Sequence, residues 1–153
     1  MSDTQQFCTF YLDGHFFGVP VGDVQEVIRF QEMTAVPLVS DSIRGLINLR
    51  GQIVTAIDLR RCLGMAERVD GALPMNVVVR TDDGAVSLLV DEIGDVLEAE
   101  KDVFELPPGT LTGPVHSMIR GVYKLAGQLL LELDFARAIA ASEMAQEVSL
   151  AKA

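Results

Sequence analysis

Short apolar stretches separated by turn residues dominate the chain between Phe7 and Leu133. Stretches of this length that are rich in Val, Ile, Leu and Phe are typical of β-strands. Asp13-Gly14 is typical of a tight hairpin turn, and Arg50-Gly51 also separates two such stretches. We predict five strands in the first half of the chain: Phe7 to Leu12, Phe16 to Val19, Glu26 to Phe30, Ile43 to Leu49 and Gln52 to Ile57.

The second half repeats this pattern, and two helices are predicted beside the strands. Asp58 is placed to cap a short helix from Leu59 to Leu63. After Asp134 the composition changes to Ala, Glu and Met, and apolar residues on one stripe predict a C-terminal helix that frays after about Val148: Phe135, Ile139 and Met144. The strands predicted in this half are Asn76 to Arg80, Val86 to Val90, Asp95 to Ala99, Ile119 to Leu125 and Gln128 to Leu133.

The two halves also match residue by residue. Segments 43–52 and 119–128 align without a gap at an offset of 76 residues, and they share Ile-Arg-Gly, a Leu and Gly-Gln. The same offset matches Asp58 with Asp134. Two further matches lie upstream: 23–28 with 92–97, and Asp13-Gly14 with Asp83-Gly84. An ungapped run of this kind is typical of an internal duplication.

We therefore interpret residues 7–140 as one domain made of two copies, at about 7–70 and 71–140, followed by a C-terminal helix and tail at 141–153. A unit of about 65 to 70 residues buries little apolar surface by itself. The two copies are therefore expected to share a hydrophobic seam.

Composition and charge limit the classes of partner. Apolar residues make up 49% of the chain, which favours a packed core, and 22 acidic against 12 basic residues give a formal charge of −10. Such a surface would repel nucleic-acid phosphate and anionic lipid. No signal peptide or membrane-spanning stretch is expected. The two cysteines, Cys8 and Cys62, lack metal-ligand spacing and suit a reducing cytoplasm.

Candidate catalytic or metal-binding groups are sparse. His15 and His116 have no second ligand at a suitable spacing, so no metal is expected, and no cofactor is predicted. Asp91 and its neighbour Glu92 are interpreted as solvated acids at a strand end. Cys62 follows two arginines and is the cysteine with a hint of an electropositive neighbourhood. A small enzyme that uses Asp91 or Cys62 stays open as the less favoured alternative.

The positions at which the two copies differ are candidates for function. Asn48 and Arg50 in copy one correspond to Lys124 and Ala126 in copy two, within an otherwise shared frame. Arg50 precedes Gly51 in a predicted turn, where its guanidinium would project into solvent and could make planar contacts with a partner. The alternative is that Arg50 is an ordinary solvated turn residue.

Three blocks of the sequence carry a resemblance to a known family. Residues 45–54, followed by Ile57 to Arg60, resemble the signature segment of CheW-type coupling domains. Residues 24–28 and 89–96 resemble two further blocks of that family, in the same order. The resemblance covers about Phe7 to Ile139. One departure is the pair at 55–56, Thr-Ala, where a proline is common in the family.

The resemblance implies a mainly β fold, with two SH3-like five-stranded β-barrels packed side by side, short helices and a C-terminal helix. It also implies a non-enzymatic adaptor that links the cytoplasmic tips of chemoreceptors (methyl-accepting chemotaxis proteins) to the regulatory domain of a CheA-type histidine kinase. Such an adaptor would be cytoplasmic and recruited to membrane-associated receptor arrays, without inserting into the membrane. A coupling protein of a non-motility pathway with the same architecture is the alternative.

The resemblance also implies two sets of site residues. Four apolar residues would line a receptor-binding groove between the barrels, although some of them are expected to be core: Val24, Ile28, Ile93 and Val96. Four others would belong to surfaces that engage the receptor or the kinase: Glu26, Gly45, Asn48 and Arg50. We further expect Glu26 and Arg50 to lie close together on the exposed face as an opposite-charge pair, which copy two lacks because Ala126 replaces the arginine.

Overall fold

The computed structural model describes residues 3–37, 41–69, 71–111 and 113–142. Its strands are β1 Thr4–Leu12, β2 His15–Pro20, β3 Val24–Ile28, β4 Ile43–Leu49, β5 Gln52–Asp58, β6 Met75–Thr81, β7 Gly84–Val90, β8 Glu92–Glu100, β9 Phe104–Glu105, β10 Ile119–Leu125 and β11 Gln128–Leu133. The helices are α1 Leu59–Cys62, α2 Gly113–Met118 and α3 at 135–142. All ten strands predicted from the sequence are present, and Asp58 caps α1 by accepting a hydrogen bond from the Arg60 N–H at 3.1 Å. The predicted end of the C-terminal helix, with Met144 on its apolar stripe and fraying after about Val148, lies outside the described residues.

The strands form two sheets. One is six-stranded with the order β8-β1-β2-β11-β10-β9, and the other is five-stranded with the order β3-β6-β7-β5-β4. The predicted mainly β class is confirmed. In the described residues neither strand ladder closes on itself, so each barrel-like unit is an open sheet, and the two-residue strand β9 gives one of them a sixth member.

Each sheet combines strands from both halves of the sequence. The six-stranded sheet holds the first hairpin, β1–β2, among β8 to β11, whereas the five-stranded sheet holds the hairpin β6–β7 among β3, β4 and β5. The units 7–70 and 71–140 therefore do not each form their own sheet, because the copies exchange their first hairpins. Two parallel pairings join the exchanged parts, Leu131 with Phe17 and Thr55 with Val86.

The strand registers confirm the internal repeat. Gly45 pairs with Ala56 and Gly121 with Glu132, each directly after a bulge, so positions 76 residues apart are equivalent in β4–β5 and β10–β11. The Asp58 N–H donates to the Ser42 carbonyl at 2.7 Å, and the equivalent bond from Asp134 to Met118 is 2.8 Å. In the earlier strands the offset is 69 residues. The turn equivalent to Asp13-Gly14 is therefore Asp82-Asp83, one residue before the predicted match.

Three clusters of buried side chains form the core. The largest lies between the sheets and contains Phe10 stacked on Phe17, together with residues of β5, β6, β7, β10, β11, α1 and α3. The other two clusters belong to one sheet each. Ile47, Val54 and Val78 represent the inner cluster of the five-stranded sheet, and Phe7 and Tyr123 that of the six-stranded sheet. The large cluster is the expected shared seam.

Candidate functional site

The hairpin between β4 and β5 turns at Arg50-Gly51. Both residues have left-handed backbones, with φ values of +52° and +86°, and together they form a two-residue loop between the paired Leu49 and Gln52. The Asn48 Oδ1 accepts a hydrogen bond from the Gly51 N–H at 2.9 Å and so braces the turn. A left-handed conformation costs a residue with a Cβ on the order of 1 kcal/mol. Among the described non-glycine residues, Asp13 and Arg50 alone have a positive φ.

Arg50 is hydrogen-bonded to Glu26 of the opposite edge of the same sheet. The Arg50 Nη1 donates to the Glu26 Oε2 at 2.8 Å. The arginine side chain is 82% exposed, whereas that of the glutamate is 18% exposed. Since β3 and β4 are the two edges of the sheet, this contact shows that the sheet is curled. The predicted proximity of Glu26 and Arg50 is confirmed, while their role at an interface stays a prediction. We call Glu26, Asn48 and Arg50 the Arg50 face.

Gly45 occupies a different environment from the rest of its predicted set. It is buried, and a Cβ on it would lie 2.6 Å from the Thr34 carbonyl oxygen. The missing side chain lets Thr34 approach β4, where Thr34 and Leu46 exchange backbone hydrogen bonds of 2.9 and 2.8 Å. The buried environment of Gly45 therefore disfavours a direct contact with a partner protein. Its place is structural, and the exposed members of the set are Asn48 and Arg50.

The four predicted groove residues lie on two equivalent edge strands, β3 and β8, but in different environments. Val24 and Ile93 are equivalent, half-buried and packed against the seam cluster, and Ile28 packs against the inner cluster of the five-stranded sheet. Val96 is the exposed member, at 61%. Its equivalent in copy one, Val27, is also exposed and was missed. The signal that could have found it was the alignment of 23–28 with 92–97.

A charged network lies beside the seam, between the two sheets. The Arg60 Nε and Nη2 donate to the two carboxylate oxygens of Asp91 at 2.8 and 2.6 Å, and the Asp13 N–H donates to Asp91 at 2.7 Å. Arg68 lies 3.0 Å from both Asp58 and Asp91. Burial alone would raise the pKa of Asp91, but the Arg60 hydrogen bonds and the neighbouring charges lower it below its ordinary value. Asp91 is thus an ion-paired group that joins the sheets, and its interpretation as a solvated acid was wrong.

The cysteines are packed in ways that disfavour a thiolate. The Cys62 sulfur contacts the Ala138 carbonyl at 3.9 Å and the Ser142 hydroxyl at 3.1 Å, where α1 meets α3. Burial raises the pKa of the Cys62 thiol and that of Cys8 above their ordinary values. A raised pKa reduces the fraction of nucleophilic thiolate at neutral pH. His15 is exposed near the Asp13 carbonyl, and the described residues contain no cluster of His, Cys, Asp and Glu that could hold a metal ion.

Comparison with known protein families shows which family has this sequence and fold. The model of the CheW-like domain matches residues 6–143, which is nearly the whole chain. The chain belongs to the CheW-like family. It is 24% identical to the chemotaxis protein CheW of Treponema pallidum, over 95% of this chain and 88% of that protein. It is also 31% identical to the protein PilI of Pseudomonas aeruginosa, over 74% of this chain and 64% of that protein.

A solved structure shows the same CheW-like architecture. The scaffolding protein TtCheW from Thermoanaerobacter tengcongensis superposes with a TM-score of 0.76 at 26% identity, covering 84% of this chain and 88% of that one. The part of the present chain that the structure describes contains no helix with the length and apolar character of a membrane span.

Proposed function

We propose that this CheW-like protein is a non-enzymatic adaptor that couples the cytoplasmic tips of chemoreceptors to the regulatory domain of a CheA-type histidine kinase in bacterial chemotaxis. The proposal draws on the chemotaxis CheW relatives and on the scaffolding protein of similar structure. The protein would act in the cytoplasm, at membrane-associated receptor arrays. The two groups that an enzyme could have used, Asp91 and Cys62, are engaged in ion pairs and in packing between helices.

The observation that carries the proposal is the Arg50 face. An exposed arginine is held in a left-handed turn by Asn48 and aligned by Glu26, and copy two has no counterpart because Ala126 stands at that position. Strained backbone persists where the surrounding structure imposes it, and it is frequent at functional sites. As an exposed ion pair, Glu26–Arg50 contributes only about 0 to 1 kcal/mol to folding. If the pair is desolvated at an interface, removal of one of its two side chains would cost roughly 2 to 5 kcal/mol of binding free energy.

The exposed valines extend the proposed docking surface. Val96, together with Val27 at the equivalent position, would contact the receptor tip directly. The other three predicted groove residues would support this surface indirectly. Each packs against a core cluster and so fixes the position of its edge strand: Val24, Ile28 and Ile93.

The direct test is reconstitution from purified receptor tip, kinase and adaptor, measured as the amount of kinase that co-sediments with receptor. Arg50→Gln and Glu26→Gln should reduce assembly by at least about tenfold while leaving the melting temperature nearly unchanged. Lys124→Gln, on the equivalent hairpin of copy two, is the matched control and should assemble like the wild type. Undiminished assembly by both Arg50→Gln and Glu26→Gln would refute the proposed role of this face.

The similarity to PilI supports a second candidate, a coupling protein of a non-motility chemosensory pathway. The fold and the Arg50 face would serve either pathway equally. Deletion of the gene followed by assays of swimming chemotaxis and of surface-associated behaviours separates the two. Loss of swimming chemotaxis supports the first candidate, and normal swimming with a surface defect supports the second.

A further inference from the structure

Two equivalent arginines of the repeat are neutralised to different extents. In copy two, the Arg120 Nη1 lies 3.6 Å from the Glu132 Oε2, and its Nε lies 3.6 Å from the Asp134 Oδ2. In copy one, among the described residues, Arg44 forms an ion pair with Asp58 alone, and the Arg44 Nη1 lies 3.9 Å from the Asp58 Oδ2. The second carboxylate is missing because Ala56 stands where copy two has Glu132.

The Asp58 carboxylate that pairs with Arg44 also has other partners, and the other acid of the cleft lining, Glu67, is paired with Arg61. The Asp58 Oδ1 accepts hydrogen bonds from the Arg68 Nη1 at 3.0 Å and from the Arg60 N–H at 3.1 Å. The Arg44 side chain is 47% exposed, so its guanidinium can still receive an acceptor from outside the protein. A guanidinium presents several donors in one plane, which suits a bidentate contact with a carboxylate.

Arg44 lies on the wall of a cleft of about 350 Å³. The rest of its lining includes several apolar side chains from the segment before β4, the connector before β6 and β7: Phe30, Met33, Val69, Leu73, Pro74 and Leu89. Leu73 is 63% exposed, and Val69 is more exposed still. Large exposed aliphatic side chains around a concave surface are typical of a site that another protein covers.

We propose that this cleft, which we call the Arg44 cleft, binds a segment of a protein partner in which a carboxylate is flanked by large aliphatic side chains. The partner carboxylate pairs with the exposed part of the Arg44 guanidinium, and the aliphatic side chains cover Val69 and Leu73. The inference rests on the proposed function, because the receptor and the kinase of the assembly are the proteins that would supply the segment. It adds a contact that is separate in sequence from the Arg50 turn and differs from it in chemistry.

The test uses the reconstituted assembly of receptor tip, kinase and adaptor. Arg44→Gln and Leu73→Asp should each weaken assembly by about tenfold or more, with little change in melting temperature, since both side chains are exposed. Leu106→Asp is the matched control, because Leu106 is a similarly exposed leucine outside the cleft lining and should tolerate the charge. A photo-crosslinking amino acid at position 73 should capture a peptide of the receptor or kinase that contains Asp or Glu beside Leu, Ile or Val.

The outcomes separate the cleft from the proposed function. Normal assembly by Arg44→Gln and Leu73→Asp, or a crosslinked peptide without a carboxylate, overturns the cleft while the adaptor role stands. Equal weakening by Leu106→Asp would show a general charge effect and also overturns it. A fall in melting temperature for Arg44→Gln as large as for Arg120→Gln would show that Arg44 is neutralised inside the protein as fully as Arg120, and it also overturns the cleft. Failure of the wild-type protein to assemble overturns both proposals.

Discussion

The two copies of the repeat share their registers, bulges and caps, yet they differ in where they place charge. Copy one has Arg50 in a left-handed turn, whereas copy two has Ala126 in the equivalent hairpin. Copy two has a buried acid, Glu132, where copy one has Ala56. Since the strand frame is common to both, we propose that these charged differences are where the copies differ in function. Arg50 is exposed and tied to one neighbour, as expected for a docking side chain.

The largest effect is expected at Asp91, whose equivalent at the other strand junction is Gly22. Asp91→Ala would remove the carboxylate that is hydrogen-bonded to the largely buried Arg60 and one of the two carboxylates next to Arg68, so it should lower the free energy of unfolding by roughly 3 to 5 kcal/mol in denaturant titrations. Asp95→Ala, at an exposed acid of β8, is the control and should change it by about 0.5 kcal/mol or less. A small effect of Asp91→Ala would show that the network is not what joins the sheets.

The same ion pair sets a pH dependence of known sign. Because the native pKa of Asp91 is lowered, its contribution to stability is present above the ordinary pKa of about 3.9 and is lost as the pH falls towards the native pKa. The difference in unfolding free energy between the wild type and Asp91→Ala should therefore shrink on acidification below about pH 4. A constant difference would contradict the pairing.

Glu132 should show the opposite dependence. Burial, opposed by Arg120 and by the hydrogen bond with Tyr123, raises its pKa above the ordinary value, so folding favours the protonated form. That stability is fully present below the ordinary pKa of about 4.3 and is lost as the pH rises through the native pKa. Glu132→Gln should therefore gain stability relative to the wild type between pH 4 and neutrality, measured by parallel denaturant titrations at several pH values. A difference that does not change with pH would show that Glu132 titrates normally.

Most of the frame of this fold could be predicted from the sequence, because it depends on local signals. Short apolar stretches and turn dipeptides predicted the strands, and the position of Asp58 predicted the cap of α1. The exchange of hairpins could not be predicted, because β1–β2 and β6–β7 are equivalent and a sequence does not say which copy a hairpin will join. The burial of Gly45 depends on Thr34, and the pairing of Asp91 depends on Arg60, 31 residues away. Contacts of this kind become visible only in three dimensions.

The smallest effect on stability is expected at the turn itself. Arg50→Asn creates Asn-Gly, the dipeptide that best tolerates two successive left-handed residues. The variant should therefore be as stable as the wild type or more stable by up to about 1 kcal/mol, even without the Glu26 ion pair. Thermal denaturation of Arg50→Asn beside Ala126→Asn checks this, since the second variant changes a hairpin whose alanine is not left-handed. Clear destabilisation by Arg50→Asn would mean that the ion pair outweighs the strain.

The most direct measurement replaces the Arg50 hairpin by the residues of its own duplicate. The double variant Asn48→Lys with Arg50→Ala gives copy one the side chains of copy two between strands of equivalent register, at a turn where residue 50 is left-handed and Ala126 is not. Its unfolding free energy and its assembly with purified receptor tip and kinase should be measured together. We predict that the unfolding free energy stays within about 1 kcal/mol of the wild type while assembly falls at least about tenfold. Wild-type assembly by the double variant would contradict the claim that the copies differ in function through this face.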